Sequence, residues 1–189
     1  MHYCRHLTRE EIASVYNTHM KKDFPRDELK PLSMVMSSLD KEQYFCYGIF
    51  DSDTLCGYAY FVSLLIDGKQ ICLLDYFAVV SGMRDSGIGS EFLHLLRNEL
   101  TDAEMLICES EDPSVAADSE KLTRERRIAF YLRNGFVDTG ASASVFGVDY
   151  VLLELDFGRR HSPEEIRAGY SALYSSFLPE KLYNRIVRV

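Results

Sequence analysis

The chain has 189 residues, a formal net charge of −8 and a pI near 5.1, with 47% hydrophobic and 26% charged residues. That length suits one well-cored domain and is short for two, and the composition is that of an ordinary globular protein. No apolar run reaches the roughly 20 residues that span a bilayer, the N-terminus lacks an apolar signal core, and the acidic balance argues against a general nucleic-acid binder. The expectation is a cytoplasmic protein with no membrane or nucleic-acid partner.

Tyr3 to Leu7 reads as an edge strand. Thr8-Arg9-Glu10-Glu11 carries the capping-box pattern and opens a helix through Ile12, Val15, Tyr16 and Met20. Phe24-Pro25-Arg26-Asp27 breaks it. Leu29, Leu32, Met36 and Leu39 then give a second helical stripe from about Asp27 to Ser38, with Pro31 in its first turn. Three strand-like runs follow: Tyr44 to Phe50, Leu55 to Leu65 and Ile71 to Val80. Asp51-Ser52-Asp53 and the hairpin signal Asp67-Gly68-Lys69 separate them into an antiparallel meander.

Ser90 to Leu100 is a helix with apolar residues at 92, 93, 95, 96 and 100, and Glu104 to Glu109 a further strand stopped by Asp112-Pro113. Ser119 to Asn134 is a helix, closed by Gly135 in the left-handed region. Phe136 to Asp138 and Tyr150 to Phe157 are the last strands, joined by the small residues Gly140-Ala141-Ser142-Ala143-Ser144. Ser162-Pro163-Glu164-Glu165 then starts a helix with an apolar stripe through Ile166, Tyr170, Leu173, Tyr174 and Phe177, ended by Pro179. Residues 161–189 are thus an extension, expected to pack on the domain formed by 1–160. Covering a binding site and building a homodimer are its other open uses.

Cys4, Cys46, Cys56, Cys72 and Cys108 are odd in number and scattered, with no C-x-x-C pair. They read as buried thiols, not as a disulfide framework or a zinc site. His2, His6, His19, His94 and His161 lack metal-ligand spacing, so no metal is expected.

Arg84-Asp85-Ser86-Gly87-Ile88-Gly89 lies between the strand ending at Val80 and the helix starting at Ser90. A glycine-rich turn in that setting lets backbone N–H groups approach an anion at the positive end of a helix. A Walker loop is excluded, because Ser90 follows Gly89 with no lysine. A dinucleotide fingerprint is excluded because Phe92 stands where its third glycine belongs. What remains, R-x-x-G-x-G after a hydrophobic strand, resembles the pyrophosphate-binding motif of the GNAT N-acetyltransferase superfamily, which grips acetyl-coenzyme A. A second motif agrees: Phe130-Tyr131-Leu132-Arg133-Asn134-Gly135-Phe136 is similar to the superfamily's helix ending F-Y-x-x-x-G-F.

That resemblance implies an α+β fold with a central mixed, mostly antiparallel sheet of about seven strands flanked by helices. It implies acetyl-coenzyme A as co-substrate and an amine, on a small molecule or a peptide, as acceptor. The splayed fourth strand would present Phe77, Ala78 and Val79 to the pantetheine arm. The amides of Arg84, Asp85, Ser86, Gly87, Ile88 and Gly89, helped by Ser90, would hold the pyrophosphate. Tyr131 would give a proton to the leaving thiolate. Arg124 stands where many members carry an asparagine against the coenzyme, and an arginine there can meet phosphates instead. Acyl transfer to an amine also needs a base for the ammonium proton. Glu109, Asp75 and Glu111 lie on or just beyond the flanking strands, with Glu109 preferred. The alternative is a module that binds an acyl-coenzyme A without turnover.

Overall fold

Reciprocal hydrogen bonds start the first helix. The Thr8 hydroxyl accepts the Glu11 amide at 3.3 Å, and the Glu11 carboxylate accepts the Thr8 amide at 2.8 Å. This is the capping box that the sequence spells. Residues 1–26 and 28–189 are described by a computed structural model. The strand β1 (His2–His6) leads into α1 (Arg9–Val15), a π-helical segment Tyr16–Met20 and the short α2 (Lys21–Asp23). The second expected helix starts later than its apolar stripe suggests. α3 runs Leu32–Asp40, with Pro31 as an extended N-cap residue (φ −54°, ψ 138°). Asp27 lies outside the described residues.

The meander is β2 (Tyr44–Asp51), β3 (Thr54–Ile66) and β4 (Lys69–Val79). Between β3 and β4, Asp67 and Gly68 both take positive φ (51° and 77°), as a type I′ hairpin turn requires. Then come α4 (Ile88–Glu99), β5 (Ala103–Glu111) and α5 (Asp118–Arg133), which ends at Gly135 (φ 93°).

The small-residue stretch expected to be a connection is itself strand. β6 runs Phe136–Val145 against β7 (Val148–Leu155), with a register shift between Asp138 and Ala141 that absorbs Thr139 and Gly140. α6 (Pro163–Phe177) carries a second capping box, Ser162 with Glu165, and α7 (Glu180–Ile186) and β8 (Val187–Arg188) follow. The eight strands form one sheet in the order β1-β2-β3-β4-β5-β7-β6-β8. It is mixed: β4 and β5 are parallel, while the β1–β2, β2–β3, β5–β7, β6–β7 and β6–β8 pairs are antiparallel. The strand beyond the expected seven is β8.

The chain forms two compact units, Met1–Ser63 with Asp75–Glu99, and Leu64–Leu74 with Leu100–Val189. The first is built on Ile12, Met20, Ile49, Tyr58, Tyr60, Phe61 and Phe92, all fully buried. The second is built on Leu73, Leu106, Ile107, Ile166, Tyr170 and Leu173. Within it α6 lies close on the sheet, since a Cβ on Gly169 would come within 2.9 Å of Met105 Sδ. Cys46, Cys56, Cys72 and Cys108 are buried thiols, and Cys4 is a half-buried one. Among the described residues no helix is long and apolar enough to cross a membrane, and no His/Cys/Asp/Glu group is arranged to hold a metal ion.

Candidate active site

The candidate residues fall in both units. In the first unit the key element is the end of β4. The parallel β4–β5 ladder has its last pair at Leu74 and Cys108, yet β4 runs on to Val79. Its final residues are held from two directions. The Val80 amide donates to the Cys56 carbonyl at 2.9 Å, and the Phe77 ring stacks on Phe92 of α4 with centroids 5.5 Å apart. Gly57 on β3 makes that approach possible, because a Cβ there would sit 2.9 Å from the Ala78 carbonyl oxygen.

Beyond Val79 the chain turns through Gly82 (φ 94°), Asp85 (φ 62°) and Gly87 (φ 86°) into α4. The Ser90 and Glu91 amides both donate to the Gly87 carbonyl, at 3.0 and 3.1 Å, and begin the helical ladder. The amides of Gly87, Ile88 and Gly89 precede it, at the positive end of the helix. A Cβ on Gly87 would meet nothing within 4 Å, so this face of the turn is open. Arg84 folds back across the turn: Nε donates to the Val79 carbonyl at 3.2 Å and Nη2 to Asp23 Oδ1 at 2.6 Å. Asp23 Oδ2 accepts the Tyr58 hydroxyl at 2.7 Å.

Asp75 is not an open carboxylate. Its side chain is 7% exposed and accepts from the Lys30 ammonium and the Tyr44 hydroxyl. Around it, the Lys30 amide donates to the Tyr76 hydroxyl at 2.9 Å, and the Tyr76 hydroxyl donates to the Glu28 carbonyl at 2.9 Å. Tyr16 donates to the Lys30 carbonyl at 2.9 Å. Burial first, and the Asp75 charge second, hold the Tyr44 and Tyr76 phenols well above the ordinary value. Both therefore remain donors at neutral pH.

In the second unit Tyr131 is buried in an aromatic pocket, its ring edge-on to Phe130 at 5.4 Å and to Phe136 at 5.1 Å. Its hydroxyl is hydrogen-bonded to the Cys108 thiol of β5. Burial, reinforced by Cys108, raises the Tyr131 phenol well above its usual value, and burial pushes the thiol up to about 12. Both groups stay protonated across the neutral range. Glu109 accepts hydroxyls from Tyr170 and Tyr174 of α6 on the same oxygen, Oε1, the second at 2.6 Å. Arg124 is 15% exposed and donates to the Asp112 carbonyl and to Glu120, each at 3.0 Å. Its Nε faces Glu111 at 3.3 Å without an aligned hydrogen bond, and Arg127 faces the same carboxylate at 3.5 Å.

This arrangement of strands and helices recurs in solved structures. A putative GNAT-family acetyltransferase from Bacteroides thetaiotaomicron superposes with a TM-score of 0.73 at 19% identity, over 92% of this chain and 97% of that one. The ribosomal-protein-S18-alanine N-acetyltransferase of Escherichia coli gives 0.58 at 18%, over 82% and 93%. A Bacillus subtilis acetyltransferase in complex with CoA gives 0.51 at 15%, over 82% and 98%. The fold is the GNAT fold. No family model matches the sequence, and no curated protein matches it.

On that fold, Phe77, Ala78 and Val79 form the part of β4 beyond its ladder with β5, and residues 84–90 form the turn and helix start, as the motif implies. The coenzyme reading of Arg124 meets a side chain already committed to Asp112, Glu111 and Glu120. Sequence reasoning missed the partners. Lys30 and Tyr44 on Asp75, Cys108 on Tyr131, and Tyr170 and Tyr174 on Glu109 had no separate signal. The nearest hint was the i, i+4 spacing of Tyr170 and Tyr174, which reads only as an apolar stripe.

Proposed function

We propose that the chain is an N-acetyltransferase that moves the acetyl group of acetyl-coenzyme A to a primary amine by direct attack in a ternary complex. The observation that carries this reading is the end of β4: a strand leaves its parallel neighbour at Leu74 and turns through left-handed residues onto a helix N-terminus. Such a turn suits a diphosphate, and a strand edge outside a ladder suits the amide-bearing pantetheine arm. Bound there, the coenzyme supplies an activated thioester.

In this reading the amides around residues 84 to 90 bind the pyrophosphate, and a backbone N–H near Ala78 or Val79 polarises the thioester carbonyl. Glu109 takes the ammonium proton of the acceptor, freeing the lone pair that forms the N–C bond. Tyr131, kept protonated by burial, gives its proton to the thiolate as the C–S bond breaks and is restored by the proton that the acylated nitrogen sheds. Asp75, held by Lys30 and Tyr44, contributes a fixed negative charge rather than a base. The S18-alanine acetyltransferase among the structural neighbours puts peptide N-termini beside small amines as acceptors to test.

A panel of small amines and peptides with acetyl-coenzyme A and free-thiol detection identifies the acceptor. Tyr131→Phe then lowers kcat about a hundredfold and leaves coenzyme affinity nearly unchanged; an undiminished kcat removes its acid role. The second reading, an acyl-coenzyme A-binding module without turnover, is favoured by the Tyr131 hydroxyl being engaged with Cys108. It predicts a coenzyme-dependent thermal shift with no thiol release from any acceptor.

A further inference from the structure

The fold reaches Glu109 from an unexpected direction. Two phenols of the C-terminal helix α6, one turn apart at 170 and 174, converge on a single carboxylate oxygen. Tyr170 is fully buried and Tyr174 nearly so, with their rings 4.8 Å apart. Gly169, beside them, lets the helix lie against Met105 and Ile71, which fixes the height at which the hydroxyls arrive. An apolar stripe needs no hydroxyl to pack, so phenylalanine at either position would serve a purely structural helix. Instead both hydroxyls are spent on one charge.

From this we infer that Tyr170 and Tyr174 are positioning residues for Glu109: their hydroxyls fix the carboxylate and hold it ionised, ready to take the acceptor's proton. The inference rests on the acetyl-transfer reading above for the use of Glu109 and deepens it, by making the C-terminal extension part of the catalytic apparatus. Hydrogen bonds to the charged form favour that form. Burial and the Glu109 charge both raise the Tyr170 phenol, so it remains a donor while the carboxylate is ionised. Other groups act near Glu109. Cys108, its neighbour on β5, feels its charge and stays a thiol, and Arg127 of α5 lies near Cys108 and Tyr131. Tyr150 of β7 lies near Tyr170, while Glu111, two residues along β5, is held by Arg124 and Arg127. When the substrate ammonium loses its proton, an N–H bond breaks and an O–H bond forms on Glu109. The proton then leaves to solvent as product departs.

The test is Tyr170→Phe, Tyr174→Phe and the double variant, each read in two ways. Carbon-13 NMR of the glutamate side-chain carboxyls, with Glu109 assigned through Glu109→Gln, follows ionisation without any acceptor. Expected is a Glu109 titration midpoint at higher pH in the double variant than in wild type. The rate assay uses the amine that gives most thiol release in the panel. Expected there is about a tenfold loss of kcat/KM near pH 6 that shrinks to within about twofold near pH 9, and no further loss when the phenylalanines are added to Glu109→Gln. An unmoved carboxyl titration in folded variants overturns the inference, as does a loss of rate that is the same at every pH or adds fully to Glu109→Gln. If no amine is acetylated, the enzymatic reading fails, and the carboxyl titration still decides whether the phenols govern Glu109. Tyr174→Phe alone, at the less buried phenol, keeps both measurements possible if Tyr170→Phe does not fold.

Discussion

Gly57→Ala probes the support under the coenzyme strand. A Cβ at this position would lie 2.9 Å from the Ala78 carbonyl oxygen and 3.1 Å from Ile49 Cγ2, inside the 3.4 Å at which ordinary contact begins. The first obstacle is backbone, so it cannot be relieved by turning a side chain; β3 and β4 must move apart. Overpacking of this kind costs about 1–3 kcal/mol, and the loss of unfolded-state freedom on replacing glycine returns about 0.4–1 kcal/mol. The net is a destabilisation of about 1–2 kcal/mol, or a fall in Tm of about 2–8 °C for a chain of this size. Scanning calorimetry gives the Tm, and urea unfolding with a shifted midpoint and an unchanged m-value confirms a change in stability without a change in the surface exposed on unfolding. Because the displaced oxygen belongs to Ala78, coenzyme A affinity falls as well. A variant as stable as wild type, binding coenzyme A equally well, would refute the claim that Gly57 sets the position of residues 77–79.

Lys30→Met strands the Asp75 carboxylate, only 7% exposed, without its cation. Breaking one side of a buried pair costs about 3–5 kcal/mol, and with Lys30 itself 20% exposed the lower end, about 3 kcal/mol, is expected. Urea unfolding should show most of that loss recovered when Asp75→Asn is added, and no recovery would mean the pair is not what holds the segment. For Glu11, the Arg5 guanidinium and the Thr8 amide lower the folded carboxyl from 4.5 to about 2. A lowered folded value gives stability that is present above pH 4.5 and lost as pH falls towards 2. Urea midpoints measured at about pH 5 and about pH 3 should therefore drop more in wild type than in Glu11→Gln; equal drops would count against the pairing.

What the sequence made legible is what local chemistry dictates. The capping boxes at Thr8 and Ser162, the Asp67-Gly68 hairpin, the strand–turn–helix around Arg84 to Ser90 and the Gly135 stop all depend on residues a few positions apart. β6 across Gly140 to Ser144 is not legible as a strand because small residues weaken strand propensity, and its partner β7 supplies the register that propensity lacks. β8 pairs only at Val187 and Arg188, too short for any alternation to show. The polar contacts of the candidate site join distant positions. Glu109 meets Tyr170 and Tyr174, and Asp75 meets Lys30 and Tyr44. Periodicity reports which face a residue occupies, but not which carboxylate its hydroxyl will reach.

The central claim is that the turn from Arg84 to Ser90 and the end of β4 hold a coenzyme, and its most direct test is a nitrogen-15 amide spectrum recorded while coenzyme A is titrated in. The account predicts saturable shifts concentrated at residues 77–79 and 84–90, reproduced at 84–90 by a fragment carrying the adenosine diphosphate portion alone. Saturation with those amides unmoved and others displaced, or no saturable shift at all, would contradict it.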